Sequence, residues 1–253
     1  MKLKNLLRYI NSKSREIDLF CFQEVAGGYR FKLQYQKSDF NQGNYDNIDL
    51  FNEIKESLIQ THKGFLTKSY SDESGCSYVG NATFIRREIQ LKEFDNLFMG
   101  EDAVIDILVE DHSKVRYNAQ ILKLSKNQRE FTLVNTHMLK YVADKQLASK
   151  YFKLLKNTID KVDNKIVLTG DFNIDKSHTL IKRNFKILKF LNQVFDISNT
   201  LNKEEHIIFK NNSKQAGLSV DQFFISKNIE ELSLIVDEVN VSDHYPLILN
   251  FNL

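Results

Sequence analysis

KIVLTGDFN, residues 165–173, is the stretch on which the fold turns. Ile166, Val167 and Leu168 form an apolar run too short for a helix and compact enough for a buried strand. Gly170 closes the run, and an aspartate and an asparagine follow immediately. Working outward, DKQLASKYFKLLKNTI (144–159) places Leu147, Tyr151, Leu154, Leu155 and Ile159 on one face, the pattern of a helix docked on a sheet. A second helical pattern runs downstream through Ile181, Phe185, Leu188 and Leu191. A strand between two amphipathic helices is the signature of an α/β protein.

The rest of the chain extends the pattern. Leu3, Leu6, Leu7 and Ile10 have helical spacing, and DLFCFQEV (18–25) reads as a buried strand. YRFKLQYQ (29–36) alternates as an amphipathic edge strand, and DNIDLFNEIKESLI (46–59) is helical. Further strands are predicted at NATFIRR (81–87), AVIDILV (103–109), YNAQILKL (117–124), FTLVNTHM (131–138), VDQFFIS (220–226), LSLIVD (232–237) and PLILNF (246–251). So many strands between few helices indicate large mixed sheets rather than an alternating barrel. No linker, low-complexity tract or internal repeat interrupts them, so residues 1–253 are expected to form one domain.

Composition narrows the function. The 253 residues carry 35 Lys+Arg against 33 Asp+Glu, which excludes a polycationic coat protein or an acidic tail. A hydrophobic share of 42% is too high for a disordered chain. One proline and nine glycines exclude collagen-like and linker-like chains. Cys21 and Cys76 make neither a disulfide framework nor a zinc cage, and are expected to be reduced thiols. With no signal-peptide core and no run of membrane-spanning length, a cytoplasmic location is expected.

Four segments end in groups that can do chemistry: Gln23 and Glu24, Asn135 and His137, Asp171 and Asn173, and Asp243 and His244. All are read as lying at the carboxyl ends of strands, where a sheet converges side chains on a crevice. Any one pair is ordinarily turn chemistry or a satisfied structural histidine; the coincidence of four carries the argument. Carboxylates with imidazoles and an amide suit a hard divalent cation and a phosphate. No HEXXH, P-loop or GXSXG spacing occurs, which leaves hydrolysis by metal-activated or base-activated water.

DLFCFQEV, GNATFIRR, LVNTHM, VLTGDFN, SVDQFFIS and VSDHYPLI stand in the order and approximate spacing of the endonuclease/exonuclease/phosphatase superfamily, which the chain resembles over residues 3–252. The resemblance implies a four-layer α/β sandwich of two facing mixed β-sheets with outer helices, and a Mg²⁺-dependent phosphoesterase site, with Mn²⁺ as the alternative ion. Carried over by position, Glu24 looks like the metal-binding glutamate, with Asp243 beside it serving the metal or the pocket. Asp171 is similar to the aspartate that positions or deprotonates the attacking water, and Asn173 to the amide orienting it or the phosphate. His137 and His244 resemble the histidines around the scissile phosphate, and Asp221 the acid that orients His244. One departure is visible: family members usually begin with a strand carrying an Asn, whereas this sequence opens at the helix that follows, and Asn5 does not match. The first strand is therefore expected to be missing, through truncation or true loss.

The expected activity is Mg²⁺-dependent hydrolysis of a phosphodiester or phosphomonoester of nucleic acid or another phosphate ester, with a nuclease favoured. Small-molecule or lipid phosphatase activity is one alternative, and a catalytically inactive binding protein of the same fold is another. A monomer without membrane attachment is expected. Lys145, Lys150, Lys153 and Lys156 on one helix, and Lys176, Lys182, Arg183, Lys186 and Lys189 after GDFN, are the basic stretches. Loops 26–47, 71–80 and 196–219 would set specificity.

Overall fold

The computed structural model describes residues 2–28, 48–71, 77–99, 117–139, 144–162, 165–174, 191–193, 220–242 and 244–253, the backbone alone for 191–193. In chain order the elements are α1 (Lys2–Lys13), β1 (Leu19–Gly27), α2 (Leu50–Leu58), β2 (His62–Ser71), β3 (Tyr78–Arg86), β4 (Gln90–Met99), β5 (Tyr117–Lys126) and β6 (Arg129–His137). They continue with α3 (Lys145–Ile159), β7 (Lys165–Asp171), β8 (Leu191–Gln193), β9 (Asp221–Ser226), β10 (Glu230–Val236) and β11 (Leu247–Asn252). The expected strand at 29–36, the strand at 103–109, residues 181–190 of the downstream helical pattern with its basic residues, and Cys76 lie outside the described residues, whereas Leu191, read as part of that helix, opens strand β8 by pairing with Ser226 of β9.

A six-stranded mixed sheet of order β4-β5-β6-β7-β9-β8 is the centre of the molecule. Among the described residues its one parallel pair is β6 with β7. Parallel neighbours need a crossover, and α3, between them in sequence, supplies it. Asp144 caps that helix, its carboxylate accepting from the backbone N–H of Gln146 and Leu147. Ala148, Tyr151, Phe152, Leu155 and Ile159 then pack on Val134, Ile166, Leu168 and Phe224 of the sheet. On the opposite face Leu133, Val167 and Ile225 meet Ile85, with Cys21, Leu249 and Phe251 against the same cluster. Ile166, Val167 and Leu168 thus alternate between two buried faces, which is why all three are apolar.

The facing layer consists of two antiparallel sheets, β1-β3-β2 and β10-β11. Helices α1 and α2 cover the outer side of the first, where Ile10, Ile54 and Leu58 bury against Val25, Ala82 and Phe84. Helices, sheet, sheet and helix make the four layers of the sandwich. Among the described residues no strand pairs with the second edge of β1 or of β11. Between the sheets the apolar core gives way, toward one end, to a polar seam. There Asn135 Nδ2 donates to the Ala82 carbonyl and to Thr83 Oγ1, and Thr83 Oγ1 donates to Gln120 Oε1. Asn81 donates to Asn118 in the same seam. Nearly every buried polar group of the seam is paired across the two layers, so the seam fixes how the sheets meet at the end that carries the site.

Candidate active site

The ladders that build the central sheet also line up its polar ends. His137 lies opposite Asp171 in the parallel register of β6 and β7, and Asp171 lies opposite Asp221 in the antiparallel register of β7 and β9. Adjacent strands stand about 4.8 Å apart, so three consecutive strands present His137, Asp171 and Asp221 as a row along one sheet edge. Sequence reasoning placed these groups at carboxyl ends, and for β6 and β7 that is where they are. His244, however, precedes β11, while Asp221 opens β9 as its place in VDQFFIS implies. Antiparallel strands bring amino ends to the same edge as their neighbours' carboxyl ends, so the convergence holds although the uniform polarity does not.

Asp171 is the centre of the row and is 8% exposed. Burial first, and then the charge of Asp221, push its carboxyl up to about 6, against the lowering effects of His244, His137 and the Asn173 N–H. That N–H donates to Asp171 Oδ1 at 2.7 Å, a turn that carries Asn173 to a φ of +49°, which asparagine tolerates better than most residues. The Asn173 side chain then donates to the Met138 carbonyl at 2.9 Å and stands 3.0 Å from His137 Nε2. The amide N–H donates to Nε2 in the tautomer that carries the ring proton on Nδ1. Its 3.7 Å approaches to Glu24 Oε1 and Asp171 Oδ2 are electrostatic neighbours rather than hydrogen bonds. On the other flank His244 Nδ1 donates to Asp221 Oδ2 at 2.7 Å, leaving Nε2 as the ring's second polar atom.

Glu24 enters from the facing sheet. The β1–β3 register slips between Phe22 and Val25, and Glu24 takes a φ of +55° at that bulge. Bulges of this kind re-aim a side chain, and here the two neighbours separate. Gln23 turns into the seam and donates to Asn135 Oδ1 at 2.6 Å, while the Glu24 side chain stays 51% exposed over His137. A non-glycine residue at positive φ costs on the order of 1 kcal/mol, a strain typical of functional positions. The structure thus gathers Glu24, His137, Asp171, Asn173, Asp221 and His244 at one edge. Asp243, also expected there, lies outside the described residues.

The sequence matches the Endonuclease/Exonuclease/phosphatase family over residues 2–244. The chain belongs to that family. Its members are hydrolases acting on phosphate esters. Solved structures agree in fold. An endonuclease/exonuclease/phosphatase family protein from Leptotrichia buccalis superposes with a TM-score of 0.70 at 15% identity, covering 100% of this chain and 94% of that one. A mannosyl-6-phosphatase of Bacteroides thetaiotaomicron gives 0.69 at 16% identity, covering 99% and 91%. D. rerio TDP2, complexed with a single-strand DNA product, gives 0.65 at 12% identity, covering 100% and 94%. No curated protein matches the sequence. At such identities these structures establish the fold of the family and leave the substrate of this member open.

Two further features bear on how a family member of this kind would work. Among the described residues no three His, Cys, Asp or Glu side chains form a metal cage. The exposed carboxylate of Glu24 is instead a donor of the kind that Mg²⁺ accepts, since that ion keeps several waters and takes one or two carboxylates. The other feature is a residue that sequence reasoning missed. Tyr117 opens β5 one position before Asn118, which pairs with His137, and its ring meets the His137 ring edge-on at 5.5 Å. Burial pushes its phenol far above the ordinary tyrosine range, and the charges of Glu24 and Asp171 act in the same direction. A tyrosine starting an apolar strand reads as core; only the pairing of β5 with β6 shows it beside the site.

Proposed function

We propose that this cluster hydrolyses a phosphate ester by in-line attack of water on phosphorus, as a Mg²⁺-dependent phosphoesterase. The observation that carries the reading is the buried Asp171 held between two oriented histidines. Ionised at neutral pH, Asp171 sits where it takes the proton of an attacking water. The backbone N–H of Asn173 fixes the Oδ1 of that carboxylate, leaving Oδ2 for the water. The Asn173 amide holds His137 by Nε2, setting the plane of the ring that closes one side of the pocket. Asp221 holds His244 through Nδ1, so Nε2 is the atom available to a phosphate oxygen as charge develops on it. Glu24, with Asp243 as the second candidate, would hold Mg²⁺ or Mn²⁺, which supplies neutralisation of the phosphate and the leaving oxygen.

Among phosphate esters we favour a nucleic-acid phosphodiester. A groove of about 610 Å³ runs along α3, lined by Lys145, Lys150 and Lys153 with Gln146, Ser149 and Asn157. The helix begins eight residues after His137, so the Lys145 end of the groove lies toward the edge of the sheet that carries the site. A track of cations leading from a phosphoesterase centre suits a polyphosphate backbone. Lys145→Glu, Lys150→Glu and Lys153→Glu combined should raise KM for a single-stranded oligonucleotide at least tenfold and flatten its salt dependence. The kcat and KM for a small aryl phosphodiester should not change. Equal effects on both substrates would remove the track from the account.

The reading itself is tested by incubating the purified protein with Mg²⁺, Mn²⁺ or EDTA and single- and double-stranded DNA, RNA, abasic DNA and small phosphate mono- and diesters. Turnover that EDTA abolishes is the expected result. Turnover that survives EDTA would overturn the mechanism, and tight polyanion binding without turnover in either metal would favour a binding protein on the same fold.

A further inference from the structure

We infer that the hydroxyl of Tyr117 is a substrate-binding group, donating a hydrogen bond to a phosphate oxygen on the Glu24 side of the site. The inference rests on the phosphoesterase reading above and assigns that site a further contact. Tyr117 is only 6% exposed, and its ring is held by His137 at 5.5 Å and Tyr151 at 6.1 Å. Its hydroxyl has no hydrogen-bond partner among the described residues, unlike two other tyrosines of this protein: Tyr9 donates to Asp237 and Tyr78 to Asp49. Yet the single buried side-chain nitrogen or oxygen left without a partner among those residues is Asn81 Oδ1. The Tyr117 hydroxyl is therefore an atom that solvent reaches, at the tip of a ring that is otherwise enclosed. A buried ring with an open hydroxyl is costly to arrange unless the hydroxyl is used, because an ordinary core position would take phenylalanine.

Position indicates the use. Across the sheet edge the order is Tyr117 on β5, His137 on β6, Asp171 on β7 and Asp221 on β9. Glu24, Tyr70, Tyr151 and Asp171 are the electrostatic neighbours of the phenol, so both carboxylates stand within its reach. Two carboxylates repel a bare anion, and a neutral O–H donor on their flank offers a phosphate oxygen a bond without adding charge. The His244–Asp221 pair stands on the far side of Asp171. A phosphate in the site would then receive donors from both flanks, which fixes its orientation for in-line attack.

Tyr117→Phe tests this, since it removes one oxygen and leaves the ring against His137. Affinity for inorganic phosphate, measured by titration calorimetry with Mg²⁺ present, should weaken roughly tenfold or more, the scale of one hydrogen bond to a charged group. The kcat/KM for an aryl phosphodiester should fall by a similar factor, with an unchanged melting temperature. Tyr117→Leu, which also removes the ring, separates the alternatives. If Tyr117→Phe keeps full phosphate affinity and kcat/KM while Tyr117→Leu loses activity, the residue only props His137 and the inference is overturned. If the unmodified protein binds no phosphate and hydrolyses no ester, the phosphoesterase reading fails and takes this assignment with it.

Discussion

Asp171→Asn should yield a protein that loses activity by 10²- to 10⁴-fold, the usual contribution of a general base, and yet melts at a higher temperature. The amide keeps an oxygen to accept from the Asn173 N–H, so the turn survives. What disappears is a buried negative charge beside Asp221. The sign follows from linkage. The native carboxyl titrates at about 6, above its ordinary 3.8, so the folded state holds its proton more tightly than the unfolded chain does. Stability from this group is fully present below about pH 4 and is lost as pH rises through 6. At pH 7.5 the ionised aspartate therefore costs the metal-free protein about 1–3 kcal/mol, or a few degrees of melting temperature for a chain of this length. Melting of both proteins in EDTA should show the variant higher at pH 7.5 and the two converging near pH 4. A variant that melts no higher at pH 7.5, or retains activity, would show that Asp171 is neither strained nor central.

Gly170→Ala should fail at an earlier stage, with little soluble protein and no cooperative melt. Gly170 adopts a φ of +142°, and a Cβ there would lie 1.8 Å from the Thr136 carbonyl oxygen and 2.8 Å from its carbon. Neither atom belongs to a flexible side chain that could swing away. Thr136 pairs with Gly170, and the next rung pairs His137 with Asp171. Relief of the clash must push β6 from β7 at the rung that sets the catalytic row, so fold and site are lost together. The expected cost exceeds 4 kcal/mol, beyond most point substitutions. A soluble Gly170→Ala protein with parental melting would show that this contact is not fixed as described.

How much of this was legible beforehand depended on burial. KIVLTGDFN and FTLVNTHM read as strands because both faces of each are covered, which leaves a continuous apolar run. β2 and β4 went unread, and both are edge strands of their sheets. HKGFLTKSYS and QLKEFDNLFM carry lysines and acids along strands that solvent reaches, a composition that protects an edge and hides its periodicity. Of the site, the aspartates and histidines were readable as a coincidence of motifs. The bulge that turns Glu24 outward and Gln23 inward was not, because a register slip arises from pairing with β3 and leaves no mark within FQEV. Tyr117 was hidden for a similar reason, its place beside His137 being set by a strand twelve residues further along the chain. The lone proline was legible as a boundary, since Pro246 stands immediately before β11 and its carbonyl accepts from Asp237.

The claim on which everything rests is that water attacks phosphorus at the Asp171 row. Hydrolysis of a phosphate ester by the Mg²⁺-supplemented protein in ¹⁸O-water, with mass spectrometry of both products, tests it most directly. The predicted result is a single ¹⁸O in the phosphate-bearing product and none in the alcohol, with formation of labelled product collapsing in Asp171→Asn. Label in the alcohol, or labelled phosphate formed by Asp171→Asn at the parental rate, would contradict it.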